Sequence, residues 1–433
     1  MKDYVGRPSV ESRTGVVTNH LGLNAEAGDE VPSSPVNVQA DASDPLSLYL
    51  HLPFTPALNF SCHELAVVTH SDSDLTNYTR SLSAEIQLVA SNFKTKRRAH
   101  RILIGGPCPN YLSDINFAEL LSTLAHSFDF VEKAPITVHL DPRRSCRVQL
   151  ELLRGLGVTD INLEVRDVDP RVQAAVGMTQ SIGLIEDTIS MARNLDFRSV
   201  NMDLSFGLPL QTPESIKETV RVISDLSPDL VSCQQFTRRP ELFPHQRGMD
   251  SYGDLSLANR LSMFNRIVEE FDRLGWEWVG LNSFARADHV WINQGLYEPL
   301  DLGPHGYFVG QNETTLGFGV GAITETASIF ARNMQSVAEW TALVARGILP
   351  YEVVKKVTNR ERSLRSDLKR LLAKKPVKKD SSALTLLSSL GFPDHCYEET
   401  DLGASVQISE GGRHWLPLVW STNDELVLAK IDV

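Results

Sequence analysis

Residues 201–215 read NMDLSFGLPLQTPES, and this stretch decides the fold. The apolar run over residues 199–204 is typical of a buried strand. Thr212 and Pro213 then favour a helix start, because threonine caps a first turn and proline fits the first helical position. Apolar residues recur at helical spacing from Ile216 onward. The stretch therefore predicts a strand, a tight loop and a helix, which together make one β/α unit.

The same alternation of apolar strands and amphipathic helices extends over most of the chain. One helical stripe runs from Leu75 to Val89, and a longer one from Leu257 ends at Gly275, which is predicted to be a C′ glycine. About six such units predict a parallel sheet with right-handed crossovers, either an incomplete β/α barrel or a doubly wound sheet. In both, ligands bind at the carboxyl ends of the strands. The predicted strands are 47–52, 102–105, 136–140, 161–165, 199–204 and 230–234, with a seventh at 276–281.

The chain is predicted to have three parts. Residues 1–44 are polar and without period, which predicts a disordered tail. Residues 45–325 carry the β/α units, and residues 326–433 are predicted to form a smaller α+β lid. Within the lid we expect helices at 337–344, 351–356 and 364–372, a solvated linker at 374–379, and a hairpin formed by 406–409 and 416–421.

Composition excludes several classes of protein. The net charge of −12 argues against binding nucleic acid through general electrostatics. No run of 18 apolar residues occurs, so no membrane span is expected, and without an apolar signal core a cytoplasmic location is expected. The five cysteines are far apart in sequence, which argues against a disulfide framework and against a short metal-binding cysteine pair.

A second informative segment, residues 49–62, reads YLHLPFTPALNFSC. It resembles the loop Y-x-H-x-P-F-C-x3-C-x2-C of the oxygen-independent coproporphyrinogen III oxidases, which are radical S-adenosylmethionine (SAM) proteins. Residues 201–215 resemble the same family's N-I-D-L-I-Y-G-L-P-x-Q-T-P-E-S. Further segments match in the same order, at 104–112, 139–143, 165–167, 280–286 and 316–323. Residues 165–167 resemble the family's V-Q-D, with Arg166 in place of the glutamine. The resemblance implies a partial (β/α)6 radical-SAM-type barrel with a C-terminal lid.

The resemblance also carries an expectation about chemistry. In the family, three loop cysteines hold a [4Fe–4S] cluster that cleaves SAM, and the resulting radical oxidises two propionates to vinyl groups with loss of carbon dioxide. Here Thr55 and Asn59 replace two of the cysteines and only Cys62 remains. Because such clusters are held by cysteine thiolates, no cluster is expected. The expected function is therefore tetrapyrrole-pathway binding or accessory work without catalysis, and SAM or a porphyrin remains a candidate ligand.

Two alternatives stay open from the sequence. The chain is an active oxidase with an atypically ligated cluster, or it is a regulatory subunit of an intact paralogue.

The candidate site residues follow from the resemblance. Tyr49 and His51 are matched to catalytic positions, and a SAM-like pocket is implied at Gly105, Gly106, Asp203 and Ile323. Each has a structural alternative, because strand ends also need tight turns and capped carboxylates. Further candidates are Arg166, Arg238 and Arg239 for propionates, His139, His245 and His305 for haem iron, and Cys108 for the cluster.

Overall fold

The computed structural model describes residues 45–279, 281–288, 300–303, 306–309, 314–372, 375–400 and 403–418. The predicted tail, residues 1–44, and the candidate ligand His305 lie outside the described residues. Where the structure describes the chain, no helix is both long enough and apolar enough to cross a bilayer.

The centre of the molecule is a parallel sheet wound in one direction. Six strands lie side by side in chain order, each pairing in parallel with the next: β1 (Leu46–His51), β4 (Arg98–Gly105), β6 (Ile136–Leu140), β7 (Asp160–Arg166), β8 (Ser199–Phe206) and β9 (Leu230–Gln235). A doubly wound sheet would reverse direction at a switch point, whereas a barrel adds every strand on the same side. The strand order therefore selects the partial β/α barrel from the two predicted alternatives.

Helices cover the sheet and bury their predicted apolar stripes. Leu75, Tyr78, Leu82, Ile86 and Val89 are all buried on the first helix. The Thr212 side chain caps its helix in a capping box with Ser215, and Gly275 has φ +77, as the sequence predicted. The helices are α1 (Asp72–Ser91), α2 (Asp114–Ser127), α3 (Arg147–Gly155), α4 (Pro170–Val176), α5 (Ile182–Asn194), α6 (Pro213–Leu226) and α7 (Leu257–Arg273), followed by α8 (Val337–Ala345), α9 (Asn359–Leu372), α10 (Ser382–Ser389) and α11 (Glu410–Arg413).

Further strands extend the sheet at both edges. Beyond β1 lies β14 (Thr314–Phe318), also parallel, and then the antiparallel strands β15 (Ile323–Glu325), β16 (Ile329–Asn333) and β17 (Tyr351–Lys356). At the other edge are β11 (Ser283–Arg286) and β10 (Trp276–Trp278), the latter within the predicted seventh strand. The short strands are β2 (Phe54–Thr55), β3 (Val67–Val68), β5 (Asp129–Phe130), β12 (Leu300–Gly303), β13 (Gly306–Val309), β18 (Val377–Lys378), β19 (Tyr397–Glu399) and β20 (Ser405–Ile408).

In the C-terminal part of the chain, the structure differs from three of the predictions. Residues 351–356 were predicted to be helical but form β17, because the strand β16 is available to pair with this segment, which contains the β-branched Val353 and Val354. Part of the predicted linker is strand β18, which pairs with β20. The predicted hairpin is wrong, because β20 pairs with β19 and Gly411 and Gly412 lie in α11. Residues 419–421 of that hairpin lie outside the described residues.

A second apolar core lies in the last part of the chain. It gathers Leu364, Leu368 and Leu371 of α9 with Leu387 of α10 and Ile408 of β20. The main sheet continues to β17, before this second core begins. The division at residue 325 stays a prediction.

Candidate functional site

The carboxyl ends of the parallel strands bring distant parts of the sequence together. Tyr49 and His51 end β1, Gly105 ends β4, Arg166 ends β7, and Asp203 lies near the end of β8. Because parallel strands finish at one edge, these residues face a common region. The structure therefore brings these residues together at the strand ends, and their roles as site residues stay a prediction.

The buried His51 and the half-buried Tyr49 form a hydrogen-bonded pair. The His51 Nε2 lies 2.9 Å from the carbonyl oxygen of Leu65, so it carries the proton and donates. The Nδ1 of His51 then accepts from the Tyr49 hydroxyl at 3.0 Å. Burial lowers the pKa of His51 to about 4 and raises that of Tyr49. Both groups are therefore neutral near pH 7, and the pair holds the loop that follows β1.

Gly105, the last residue of β4, and Gly106, which follows it, are required by the protein's own packing. A Cβ on Gly106 would lie 2.1 Å from the carbonyl oxygen of Leu52, and Gly106 has φ +123. A Cβ on Gly105 would lie 3.0 Å from Cε2 of Tyr49. Tyr49 occupies the space into which a Cβ on Gly105 would project, and the backbone of Leu52, just after β1, occupies that beside Gly106. Their glycine character is thus explained without a ligand.

Four charged side chains cluster beside Tyr49 and His51. They are those of Glu64, Glu164, Arg166 and Asp203. The guanidinium of Arg166 donates to Glu164 Oε1 from Nε at 2.9 Å and from Nη2 at 2.6 Å, and its Nη1 donates to Ser205 Oγ at 3.3 Å. Burial alone would lower the pKa of Arg166, but the carboxylates of Glu164 and Asp203 raise it. Asp203 accepts a hydrogen bond from the side-chain amide of Asn162 at 2.5 Å. The region holds more carboxyl groups than cations.

Glu64 is the fourth member of this charged group, and no motif of the sequence points to it. The residue as a whole is half-buried, yet its Oε2 is shielded and has no hydrogen-bond partner among the described residues. Burial, followed by repulsion from Glu164, raises the pKa of Glu64 to about 7. Neither Glu64 nor Glu164 belongs to a quoted motif, so only their tertiary position reveals them.

The loop between β1 and α1 contains the three positions matched to cluster cysteines. All three side chains are buried, with exposed fractions of 5% for Thr55, 9% for Asn59 and 4% for Cys62. The Thr55 hydroxyl donates to the carbonyl of Ala57 at 2.8 Å, and Asn59 Oδ1 accepts from the hydroxyl of Ser61 at 2.8 Å. Two of the three polar groups are thus satisfied by the loop itself.

Protein contacts hold this loop from outside. Phe60 packs into an apolar cluster with Val176 and Met249, and its amide donates to the carbonyl of Val176 at 2.7 Å. The carbonyl of Cys62 accepts from His245 Nε2 at 2.8 Å and from Gln246 Nε2 at 3.2 Å. A 3-10 helix, Pro244–Tyr252, therefore closes over the loop.

The remaining candidates lie elsewhere. Ile323 packs with Phe330 and Val357 in a small apolar cluster. Arg238 pairs with Asp250 and with Asp254, so it is occupied. His139 is half-buried on β6, and the Arg239 amide donates to Gln246 Oε1 at 2.5 Å.

Comparisons with known proteins agree with this geometry. The sequence model of the Radical SAM superfamily matches residues 74–223. The oxygen-independent coproporphyrinogen III oxidase of Pseudomonas aeruginosa is 29% identical, over 71% of this chain and 67% of that protein. The corresponding protein of Synechocystis is 26% identical, over 86% and 79%. The solved coproporphyrinogen III oxidase of Escherichia coli, a radical SAM enzyme, matches with a TM-score of 0.81 and 25% identity, over 90% of this chain and 92% of that one. The chain is therefore a relative, in sequence and in fold, of the oxygen-independent coproporphyrinogen III oxidases.

Likeness to this family implies a [4Fe–4S] cluster, and the side chains at the three matched positions do not fit one. Such clusters are held by thiolates, whereas Thr55 and Asn59 offer a hydroxyl and an amide. Burial, followed by the nearby carboxyl of Glu64, raises the pKa of Cys62 to about 12, so its thiol is protonated at neutral pH. Cys108 also has a pKa raised by burial, and its Sγ lies 3.4 Å from Asn110 Oδ1. In the part of the chain that the structure describes, no three His, Cys, Asp or Glu side chains are placed to hold a metal ion.

Proposed function

We propose that this protein is a cluster-less member of the family that binds a tetrapyrrole without radical SAM catalysis. The observation that carries the proposal is the self-contained loop. Thr55 and Asn59 are buried and hydrogen-bonded within it, and the remaining thiol is protonated. A loop whose polar groups are already satisfied needs no metal ion to hold its shape. Without the cluster, SAM has no electron source at this site.

The tetrapyrrole part of the proposal rests on the family and on the intact barrel. The relatives are named for coproporphyrinogen III, an acidic tetrapyrrole with four propionates. This chain keeps the barrel, and its strand ends meet at the region where α/β barrels bind ligands. The two lost cysteine positions, Thr55 and Asn59, fall in the loop that would hold the cluster, and the strands of the barrel are kept around it.

The function is tested by titrating the purified chain with coproporphyrin III and following the porphyrin absorbance and the tryptophan fluorescence. We expect saturable binding at one site. Incubation with coproporphyrinogen III, SAM and a strong reductant under anaerobic conditions should leave the mass of the tetrapyrrole unchanged. Loss of carbon dioxide from the propionates would show instead an active oxidase. Absence of any binding would refute the tetrapyrrole proposal.

A further inference from the structure

Arg260 lies beside the strand ends, and its charge has no partner among the residues that the structure describes. It projects from α7 over Gly207, the residue that follows β8. A Cβ on Gly207 would lie 3.4 Å from Cδ of Arg260 and 2.9 Å from the carbonyl oxygen of Phe236, which follows β9. Gly207 also has φ +90, so glycine fits both the backbone and the space. The stem of Arg260 therefore packs beside Gly207, at the carboxyl end of β8.

The guanidinium of Arg260 makes no ion pair with the described residues. Its Nε is shielded from solvent and has no hydrogen-bond partner there. Burial lowers the pKa of Arg260, opposed by the charge of Asp254. Asp254 itself is occupied, because Arg238 Nε lies 2.8 Å from its Oδ1. A shielded donor without a partner costs free energy, so its presence at this position calls for a ligand.

Other arginines near the strand ends differ from Arg260 in this respect. Arg166 is paired with Glu164 at 2.6 Å, and Arg143 is paired with Asp141 at 2.7 Å. Both guanidinium groups are therefore already neutralised by the protein. Of these three arginines, Arg260 is the one whose guanidinium makes no ion pair with the residues that the structure describes.

We propose that Arg260 is the residue that binds a carboxylate of the ligand at the barrel mouth. This inference rests on the proposed function, and it assigns the guanidinium to a propionate of the tetrapyrrole. A planar guanidinium binds a carboxylate through two parallel hydrogen bonds, which fixes orientation as well as charge. The packed stem holds the group in place before the ligand arrives, which reduces the entropy lost on binding.

The test compares coproporphyrin III with its tetra-amide, in which every propionate has lost its charge. The variants are Arg260→Met, which keeps the apolar stem, and Arg260→Lys, which keeps the charge. Arg266→Met is the control, because Arg266 lies on the same helix and pairs with Glu269 at an exposed position. We expect Arg260→Met to weaken coproporphyrin III binding at least tenfold and Arg260→Lys to weaken it less. Arg266→Met should change nothing, and tetra-amide binding should be the same in all proteins.

Thermal unfolding separates binding from stability. Because the guanidinium is unpaired, Arg260→Met should unfold at the wild-type temperature or above it. Equal affinity of wild type and Arg260→Met for coproporphyrin III would overturn the inference and leave the proposed function standing. Failure of the wild type to bind coproporphyrin III would overturn both. If Arg260→Met does not fold, Arg260→Lys decides. Weaker binding of coproporphyrin III with unchanged binding of the tetra-amide supports the contact, and wild-type affinity for coproporphyrin III refutes it.

Discussion

Arg166 is the residue that most changes the charge of the candidate site. It stands where the family's motif has glutamine, and it takes φ +67, a conformation that non-glycine residues rarely adopt. The strand pairing of β7 with β8 shifts register at this point. The shift accompanies a guanidinium held between Glu164 and Ser205. The substitution thus introduces a buried ion pair into the barrel.

Replacing Arg166 by glutamine, the residue of the family motif, should destabilise this protein. Its side chain is 7% exposed and that of Glu164 is 15% exposed, so the variant leaves a buried carboxylate unpaired. We expect a loss of about 3 kcal/mol in the free energy of unfolding, measured in urea. The control, Arg147→Gln, removes an exposed pair with Glu151 and should cost no more than about 0.5 kcal/mol. Equal small losses for both variants would contradict the buried-pair interpretation.

For single residues, the sequence could predict which of them lie at the strand ends, but not which side chains they contact there. Tyr49, His51 and Asp203 belong to segments with a recognisable order, so their positions at the strand ends followed from the fold. Glu64 and Arg260 belong to no motif, and their environment comes from loops and helices that fold over the strand ends. Burial and missing hydrogen-bond partners are tertiary properties, which a single sequence does not display.

At the scale of elements, the loop after β1 is supported by the turn after β4. The Leu52 amide donates to the carbonyl of Gly105 at 2.9 Å, and the Leu52 carbonyl occupies the space beside Gly106. The 3-10 helix at Pro244–Tyr252 supports the loop from its other side through Gln246. The loop is therefore packed between two elements that come from distant parts of the chain.

Gly106→Ala should disturb this packing strongly. The new Cβ would lie 2.1 Å from the carbonyl oxygen of Leu52, and alanine is strained at φ +123. We expect a loss of at least about 2 kcal/mol in the free energy of unfolding. The matched control is Gly183→Ala in α5, where a Cβ meets nothing within 4 Å. That change should be neutral or stabilise by up to about 1 kcal/mol, and a similar result at Gly106 would refute the close approach.

The elements of the barrel were predictable because their patterns are long and repeated. Residues 136–140 were predicted as a strand and are β6, and Thr212 caps α6 as its sequence indicates. The short elements of the C-terminal part were less predictable. Residues 351–356 have no strong period, and only pairing with β16 makes them a strand.

At the scale of the whole molecule, a buried carboxyl joins the barrel to the later part of the chain. Glu85 on α1 accepts from the amide of Gly319, which follows β14, at 2.7 Å and from Asn333 Nδ2, at the end of β16, at 2.6 Å. Nearby, the Tyr78 hydroxyl donates to the carbonyl of His51 at 2.8 Å and accepts from the Val320 amide at 3.0 Å. The helix α1 thus connects the site loop to the outer strands.

Glu85 should make the stability of the protein depend on pH. Burial raises its pKa to about 8 from the usual 4.5, so the folded state binds the proton more tightly than the unfolded chain. The stabilisation that this tighter proton binding contributes is complete below about pH 4.5 and is lost as the pH rises towards 8. Between pH 6 and 8 it should fall by about 2 kcal/mol. Urea unfolding at several pH values measures it.

Glu85→Gln should remove this part of the pH dependence, because an amide does not titrate. Glu119→Gln, at an exposed glutamate on α2, is the control and should keep the wild-type dependence. If Glu85→Gln and wild type lose the same stability between pH 6 and 8, another group is responsible. The sequence could not predict this role, since Glu85 lies within an ordinary amphipathic helix and gains its partners from residues more than 230 positions away.

The central claim is that the loop of Thr55, Asn59 and Cys62 keeps its shape without a cluster. It is tested most directly by anaerobic reconstitution with iron and sulfide, followed by counting both elements per chain. The double variant Thr55→Cys, Asn59→Cys restores the three-cysteine spacing and serves as the positive control. We expect the variant to take up about four irons and the wild type to retain less than one. About four irons in the wild type, with 5′-deoxyadenosine released from SAM under a strong reductant, would contradict the account.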